Sequence, residues 1–249
     1  MYYIVYIIVS YLLTLALRNV NEGELLKNFL SEFCGTFIII FFGLASIILF
    51  KNLLDAPLFI ALTFSTIITL SFSLFSKDFF VTFNPFLSFT AYIRAFISMK
   101  EFFISFMAQI IGAFFAVFIL YLIFAKNIIL PSFSIAPEFV KSTDLKEGNL
   151  VLFSSFFSSF FLSFLFFSSD FKKKYNHIYI GAIYFISILV FYKIMGDMLN
   201  PLIIFVTSIF AFKFSSITML YFIVIFFGTI IGGIFSFFLK NKLERRRYV

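Results

Sequence analysis

The sequence is poor in charge, in cysteine and in histidine. Only 12% of its 249 residues are Asp, Glu, Lys or Arg, against 62% hydrophobic. A soluble domain of this length could not cover its exterior with so little polar side chain. The one cysteine, Cys34, lies in an apolar run, and a single cysteine excludes an intrachain disulfide. The one histidine, His177, follows Lys172-Lys173-Lys174 in a polar stretch and lacks a ligand partner. Zinc-ligand spacings, a phosphate-binding glycine loop and a nucleophile elbow are all missing. No metal, cofactor or soluble-style catalysis is expected.

What is present is apolar length. Phenylalanine supplies 46 residues and the mean hydropathy is +1.09. The heavy use of Phe, Ile, Lys, Asn and Tyr is the signature of an A/T-rich coding sequence, so apolar identity at any one lipid-facing position carries little weight. Six runs approach or exceed the ~20 residues a helix needs to cross a bilayer: 32–50, 57–76, 102–125, 150–169, 178–195 and 218–239. The chain reads as an all-α polytopic membrane protein. Its net charge of +7 then belongs to Lys and Arg on loops, and not to a nucleic-acid surface.

Two shorter apolar windows, 86–97 and 202–212, each follow an Asn-Pro pair: Asn84-Pro85 and Asn200-Pro201. Segments of that length reach only about 17 Å as helix, roughly half the hydrocarbon thickness. The order is span, span, half-segment, span, and then the same again, with the two Asn-Pro pairs separated by 116 residues. Three crossings per repeat is odd, so the two halves insert in opposite orientations, and short interrupted segments of an inverted repeat mark its site.

The organisation predicted is an apolar N-terminal segment over 1–30 and a first repeat over 31–125 with its half-helix at 84–97. A polar outer connection over 126–149 leads to a second repeat over 150–239 with its half-helix at 200–212, and a basic tail fills 240–249. Placing both ends of the six-span core inside puts Arg18, Lys27, Lys77, Arg94, Lys100, Lys172, Lys173, Lys174, Lys240, Lys242, Arg245, Arg246 and Arg247 on the cytoplasmic side. That is 13 of the 19 basic residues. The segment Met1–Leu17 is a membrane-surface helix or an extra short crossing; cleavage near Thr14-Leu15-Ala16 would invert the core against this bias. The tail KNKLERRRYV reads as a topology anchor that can also touch anionic lipid.

Proline at the first position of a helix costs neither a hydrogen bond nor a clash, and Asn before it is a favoured N-cap. Each Asn-Pro therefore starts a helix, here deep in the membrane, where unpaired backbone is costly unless it faces a wet cavity. Two such helices entering from opposite faces meet tip to tip. Each tip carries about half a positive charge, which suits neutral hydroxyl-bearing molecules and disfavours cations.

Several further stretches accompany this pattern: EFCGTFIIIFFG at Glu32–Gly43, AQIIGA at Ala108–Ala113, IGA at 180–182 and GTIIGG at 228–233. Together with the two Asn-Pro boxes they resemble the aquaporin (major intrinsic protein) family, aquaglyceroporins included, over nearly the whole chain beyond residue 30. The resemblance implies a right-handed bundle of six transmembrane helices with two re-entrant half-helices, and a homotetramer with one pore per subunit.

The boxes depart from the family's Asn-Pro-Ala, reading Asn84-Pro85-Phe86 and Asn200-Pro201-Leu202. The bulkier third residues, behind the Asn pair, are expected to shift the tips or fill neighbouring volume. By the same resemblance Glu32 accepts hydrogen bonds from the re-entrant loop, with Gln109 as further structural support. The equivalent fourth-span acid falls on Ser154. The family's outer constriction maps by spacing onto Phe64, Ile188, Asp197 and Ile203. Its usual arginine is replaced by Ile203, and a carboxylate appears at Asp197, either in the filter or turned away towards Lys193.

The function implied is a passive channel for water and small neutral solutes such as glycerol. Two alternatives stay open. One is a degenerate member that does not conduct; the other is a secondary transporter with broken helices, which needs ionisable groups within its spans. Only Glu32 and Asp197 could serve there.

Overall fold

The computed structural model describes residues 23–50, 53–76, 79–124, 145–169, 175–195, 200–210 and 216–245. The segment Met1–Leu17, most of the connection 126–149, Asp197 and the end of the tail lie outside the described residues.

Among the described residues there are eight helices: α1 (Glu24–Phe50), α2 (Ala56–Phe75), α3 (Pro85–Ile93), α4 (Met99–Phe124), α5 (Leu145–Ser168), α6 (Asn176–Met195), α7 (Pro201–Phe210) and α8 (Ser216–Arg245). α1, α2, α4, α5 and α8 are long and apolar enough to cross a membrane, and α6 has 20 residues. α3 and α7 have 9 and 10, too few to span. The order of two long helices, a short one and a long one occurs twice.

Helix ends differ from the hydropathy reading where polar residues continue a helix. α1 starts at Glu24, so the expected boundary at residue 30 falls inside it; the acid in its first turn suits the positive helix end. α4 starts at Met99 because Ser98 and Glu101 cap it reciprocally. The Ser98 N–H donates to Glu101 Oε2 at 2.7 Å and the Glu101 N–H to Ser98 Oγ at 3.3 Å. α3 stops at Ile93, short of the expected residue 97. There the Phe96 N–H reaches the Ala91 carbonyl and the Ala95 N–H the Tyr92 carbonyl, both at 2.9 Å, with Ala95 at φ 56°. This is a Schellman closure with alanine where glycine is usual.

The packing repeats like the order. α1 lies along α4 and α5 along α8, while α2 meets α6 across the two halves. A Cβ placed on Gly112 would lie 2.6 Å from the Phe33 carbonyl oxygen, and one on Gly228 2.6 Å from that of Phe156. Both helix pairs therefore close to backbone distance at a glycine. Phenylalanines four apart stack along the same helices, Phe33, Phe37 and Phe41 on α1 and Phe156, Phe160 and Phe164 on α5. Each such pair adds a few tenths of a kcal/mol to its helix. Two buried hydroxyls on α5 are satisfied within the helix: Ser155 donates to Val151 O and Ser159 to Ser155 O, both at 2.8 Å.

Candidate functional site

The two short helices begin against each other. Asn84 holds an extended backbone (φ −149°, ψ 119°) and its Oδ1 accepts the Phe86 and Leu87 N–H groups at 3.0 and 3.4 Å. Pro85 occupies the position where no N–H is needed. Asn200 does the same for α7, its Oδ1 accepting the Leu202 N–H at 3.1 Å. Its amide Nδ2 then donates to the Phe83 carbonyl at 2.9 Å, across 117 residues of sequence. Committing Oδ1 to the cap turns the Asn200 amide nitrogen away from its own helix and towards the junction.

Phe83 can offer its carbonyl because its backbone is left-handed, at φ 54°. That conformation is costly for a residue with a side chain and persists because the surroundings over-determine it. Glu32 Oε1 accepts the Thr82 N–H at 2.9 Å, and Oε2 accepts the Phe83 N–H at 3.0 Å and Gln109 Nε2 at 2.9 Å. Gln109 also reaches Ser88 Oγ at 2.9 Å and Thr82 Oγ1 at 3.2 Å. The Thr82 hydroxyl donates to the Asn84 carbonyl at 3.1 Å and touches the Ser88 hydroxyl. Glu32 is 1% and Gln109 0% exposed. Two backbone donors and a side-chain amide thus replace the water a buried carboxylate would otherwise need. The Phe83 ring lies on Gly35, where a Cβ would come within 2.1 Å of it.

The second half has no matching carboxylate. Gly112 and Gly228 are equivalent by the 116-residue offset and press on the carbonyls of Phe33 and Phe156. That register sets Ser155, and not Ser154, against Glu32. The first spans are offset by 123 positions and the half-helices by 116, so the second repeat is seven residues shorter between its first span and its half-helix. Ser155 Oγ bonds its own helix.

Of the four constriction positions, Phe64, Ile188 and Ile203 are all buried, at 2%, 1% and 3% exposed; Asp197 lies outside the described residues. Phe64 alone of these lines the small cavity beside the tip junction, where it is joined by Phe72, Thr82, Phe83, Tyr184 and Asn200. The cavity measures about 10 Å³, near the minimum for one water molecule. The Phe72 ring meets Phe83 edge-on at 4.8 Å. Phe72, Thr82, Phe83 and Tyr184 were not among the expected residues. The position of Thr82, two before Asn84, was a usable signal; the two rings and Tyr184 had none, since apolar spans are full of aromatics.

Phe86 and Leu202 point to the other side. Phe86 packs edge-on against Phe222 and Phe226, at 6.2 and 5.2 Å. Both box residues line a second, wholly separate cavity of about 310 Å³ with Pro85 and Pro201. Their added bulk is taken up behind the tips, which stay bonded.

A family model described as Major intrinsic protein matches residues 19–239. No curated protein sequence matches the chain. Among solved structures, the X-ray structure of the aquaglyceroporin from Plasmodium falciparum superposes with a TM-score of 0.66 at 17% identity, covering 86% of this chain and 95% of that one. The likeness is one of fold.

Proposed function

This chain belongs to the major intrinsic protein family, and from that premise we propose that it is a passive membrane channel for water and small neutral solutes such as glycerol, which pass beside the joined half-helix tips. It is not an enzyme. The observation that carries the route is the Asn200 amide on the Phe83 carbonyl, which brings two proline-led helix starts to one point. Two positive helix ends converging there repel cations, and side-chain amides and carbonyls offer a neutral solute replacements for lost water.

Phe64, Ile188, Asp197 and Ile203 form the outer constriction in this reading, with Asn84 and Asn200 at its inner end. The filter has no arginine, so cation exclusion rests on the helix ends. At about 4 Å and an effective dielectric near 20, a unit charge at Asp197 is worth a few kcal/mol to a passing ion. Asp197→Asn then alters solute or cation permeability; unaltered permeability at normal surface expression removes Asp197 from the filter. Both ends of the six-span core face the cytoplasm, and four copies assemble with one pore each.

A second reading, a member that does not conduct, is favoured by the cavity beside the tips, which holds about one water. Coupled transport is disfavoured because Glu32 is fully engaged by Thr82, Phe83 and Gln109. Swelling of proteoliposomes in water and glycerol gradients separates these readings. Fast, non-saturable flux supports the channel, saturable flux a carrier, and none the non-conductor.

A further inference from the structure

The 310 Å³ cavity behind the half-helix tips lies apart from the proposed permeation route and is large enough for a ligand, at the low end of small-molecule sites. Its walls come from equivalent positions of the two repeats. Pro85 and Pro201, Phe86 and Leu202, and Phe106 and Phe222 each differ by 116 residues. A cavity built in this way straddles the pseudo-two-fold axis, and in an inverted repeat that axis lies in the membrane plane. The cavity is therefore at mid-bilayer depth.

It opens sideways between α4 and α8. Met219 and Ile223 on its α8 rim are 58% and 51% exposed, and the outer face of α4 continues with exposed Phe103, Met107 and Ile111. Every lining side chain is apolar. Water would find no partners there, and a void would forfeit dispersion contact along the whole lining. At that depth the surrounding medium is hydrocarbon.

We propose that this cavity is a binding site for one hydrocarbon chain of a membrane lipid, which enters between α4 and α8 and seats against the backs of both proline-led half-helices. Phe86 and Leu202 are the second residues of those helices, so the seated chain braces the two tips from behind. In this chain the alanine of the family's boxes is replaced by side chains long enough to reach the occupant.

The chain has no tryptophan, so one introduced indole reports alone. Phe205 lines the inner wall on α7 and is recessed from the lipid-facing surface. The Phe205→Trp protein is reconstituted in phosphatidylcholine vesicles whose acyl chains carry bromine either deep or near the headgroup. Deep bromines are expected to quench most of its emission and shallow ones little. Adding Ile110→Phe, which fills the cavity, is expected to restore it. Unquenched emission with deep bromines overturns the proposal, as does quenching that Ile110→Phe leaves unchanged. Quenching lost on self-association, with a cross-link placing a second copy in the cavity, also overturns it. Should Phe205→Trp fail to fold, Phe106→Trp on the α4 wall gives the same reading. None of these readouts depends on whether the pore conducts.

Discussion

The side-chain amide of Asn200 donates to the backbone carbonyl of Phe83 at 2.9 Å, and this bond ties the start of one half-helix to the turn that precedes the other. Asn200→Asp isolates the donor, because a carboxylate can still cap the Leu202 N–H but meets the Phe83 carbonyl with like charge. Leaving that buried carbonyl unpaired costs about 1–3 kcal/mol. Thermal unfolding in detergent should fall accordingly, and water flux in proteoliposomes should drop with it. Wild-type stability in Asn200→Asp would show that the junction contributes nothing.

Glu32 serves three donors with two oxygens. Glu32→Gln keeps one acceptor and turns an NH2 towards a donor, whereas Glu32→Ala orphans both backbone N–H groups. Each orphan costs about 1–3 kcal/mol, so the alanine variant should be the less stable. Gln109→Leu removes one of the same bonds. The Glu32→Gln/Gln109→Leu double variant should therefore lose less than the sum of the singles, because neighbours in one network are not additive. Strict additivity in unfolding measurements would contradict a shared network.

Gly35 leaves room for the Phe83 ring, since a methyl group there would stand 2.1 Å from it. Gly35→Ala must displace the ring or part α1 from the loop, an overpacking cost of about 1–3 kcal/mol. Phe83→Leu in the same chain should recover part of that loss. If Gly35→Ala is neutral, or if Phe83→Leu fails to compensate, the ring is not what the glycine accommodates.

Most of the architecture was legible in the sequence because the membrane imposes long apolar runs, and Asn-Pro punctuates them where helices start. The half-helices Pro85–Ile93 and Pro201–Phe210 follow from that chemistry alone. The role of Glu32 came from the family resemblance and not from that chemistry, and the Thr82, Phe83 and Gln109 donors meet it in the structure. What was not legible depended on backbone conformation and on register between distant helices. The left-handed turn at Phe83 has no glycine or asparagine to announce it. The match of Ser155, not Ser154, to Glu32 appears only once Gly112 and Gly228 are seen against Phe33 and Phe156. Phe72 and Tyr184 are two aromatics among many, and only proximity to Thr82 and Asn200 distinguishes them.

Ala95 closes α3 at φ 56°, where an L side chain is disfavoured by roughly 1 kcal/mol and glycine is not. Ala95→Gly should therefore raise stability by a few tenths to about 1 kcal/mol, and Ala95→Val should lower it by more. Urea or thermal titration of the two variants checks the order. The reverse order would mean that the Schellman closure is not held in the membrane.

Phe72 stands edge-on to Phe83 and walls the cavity beside the tip junction. If permeant passes there, ring volume at Phe72 limits solute size while Tyr184 contributes a polar group at the same level. Complete truncation of a buried phenylalanine costs about 3–5 kcal/mol, so Phe72→Leu is the gentler probe. It should raise glycerol flux more than water flux, because the larger solute is the one excluded by the ring. Tyr184→Phe keeps the volume and removes only the hydroxyl, so it should leave the size cut-off in place and slow both solutes. Proteoliposome swelling in parallel water and glycerol gradients measures the two ratios. Equal rises for both solutes in Phe72→Leu would place the size-determining point elsewhere along the pore, at the level of Ile188 and Ile203.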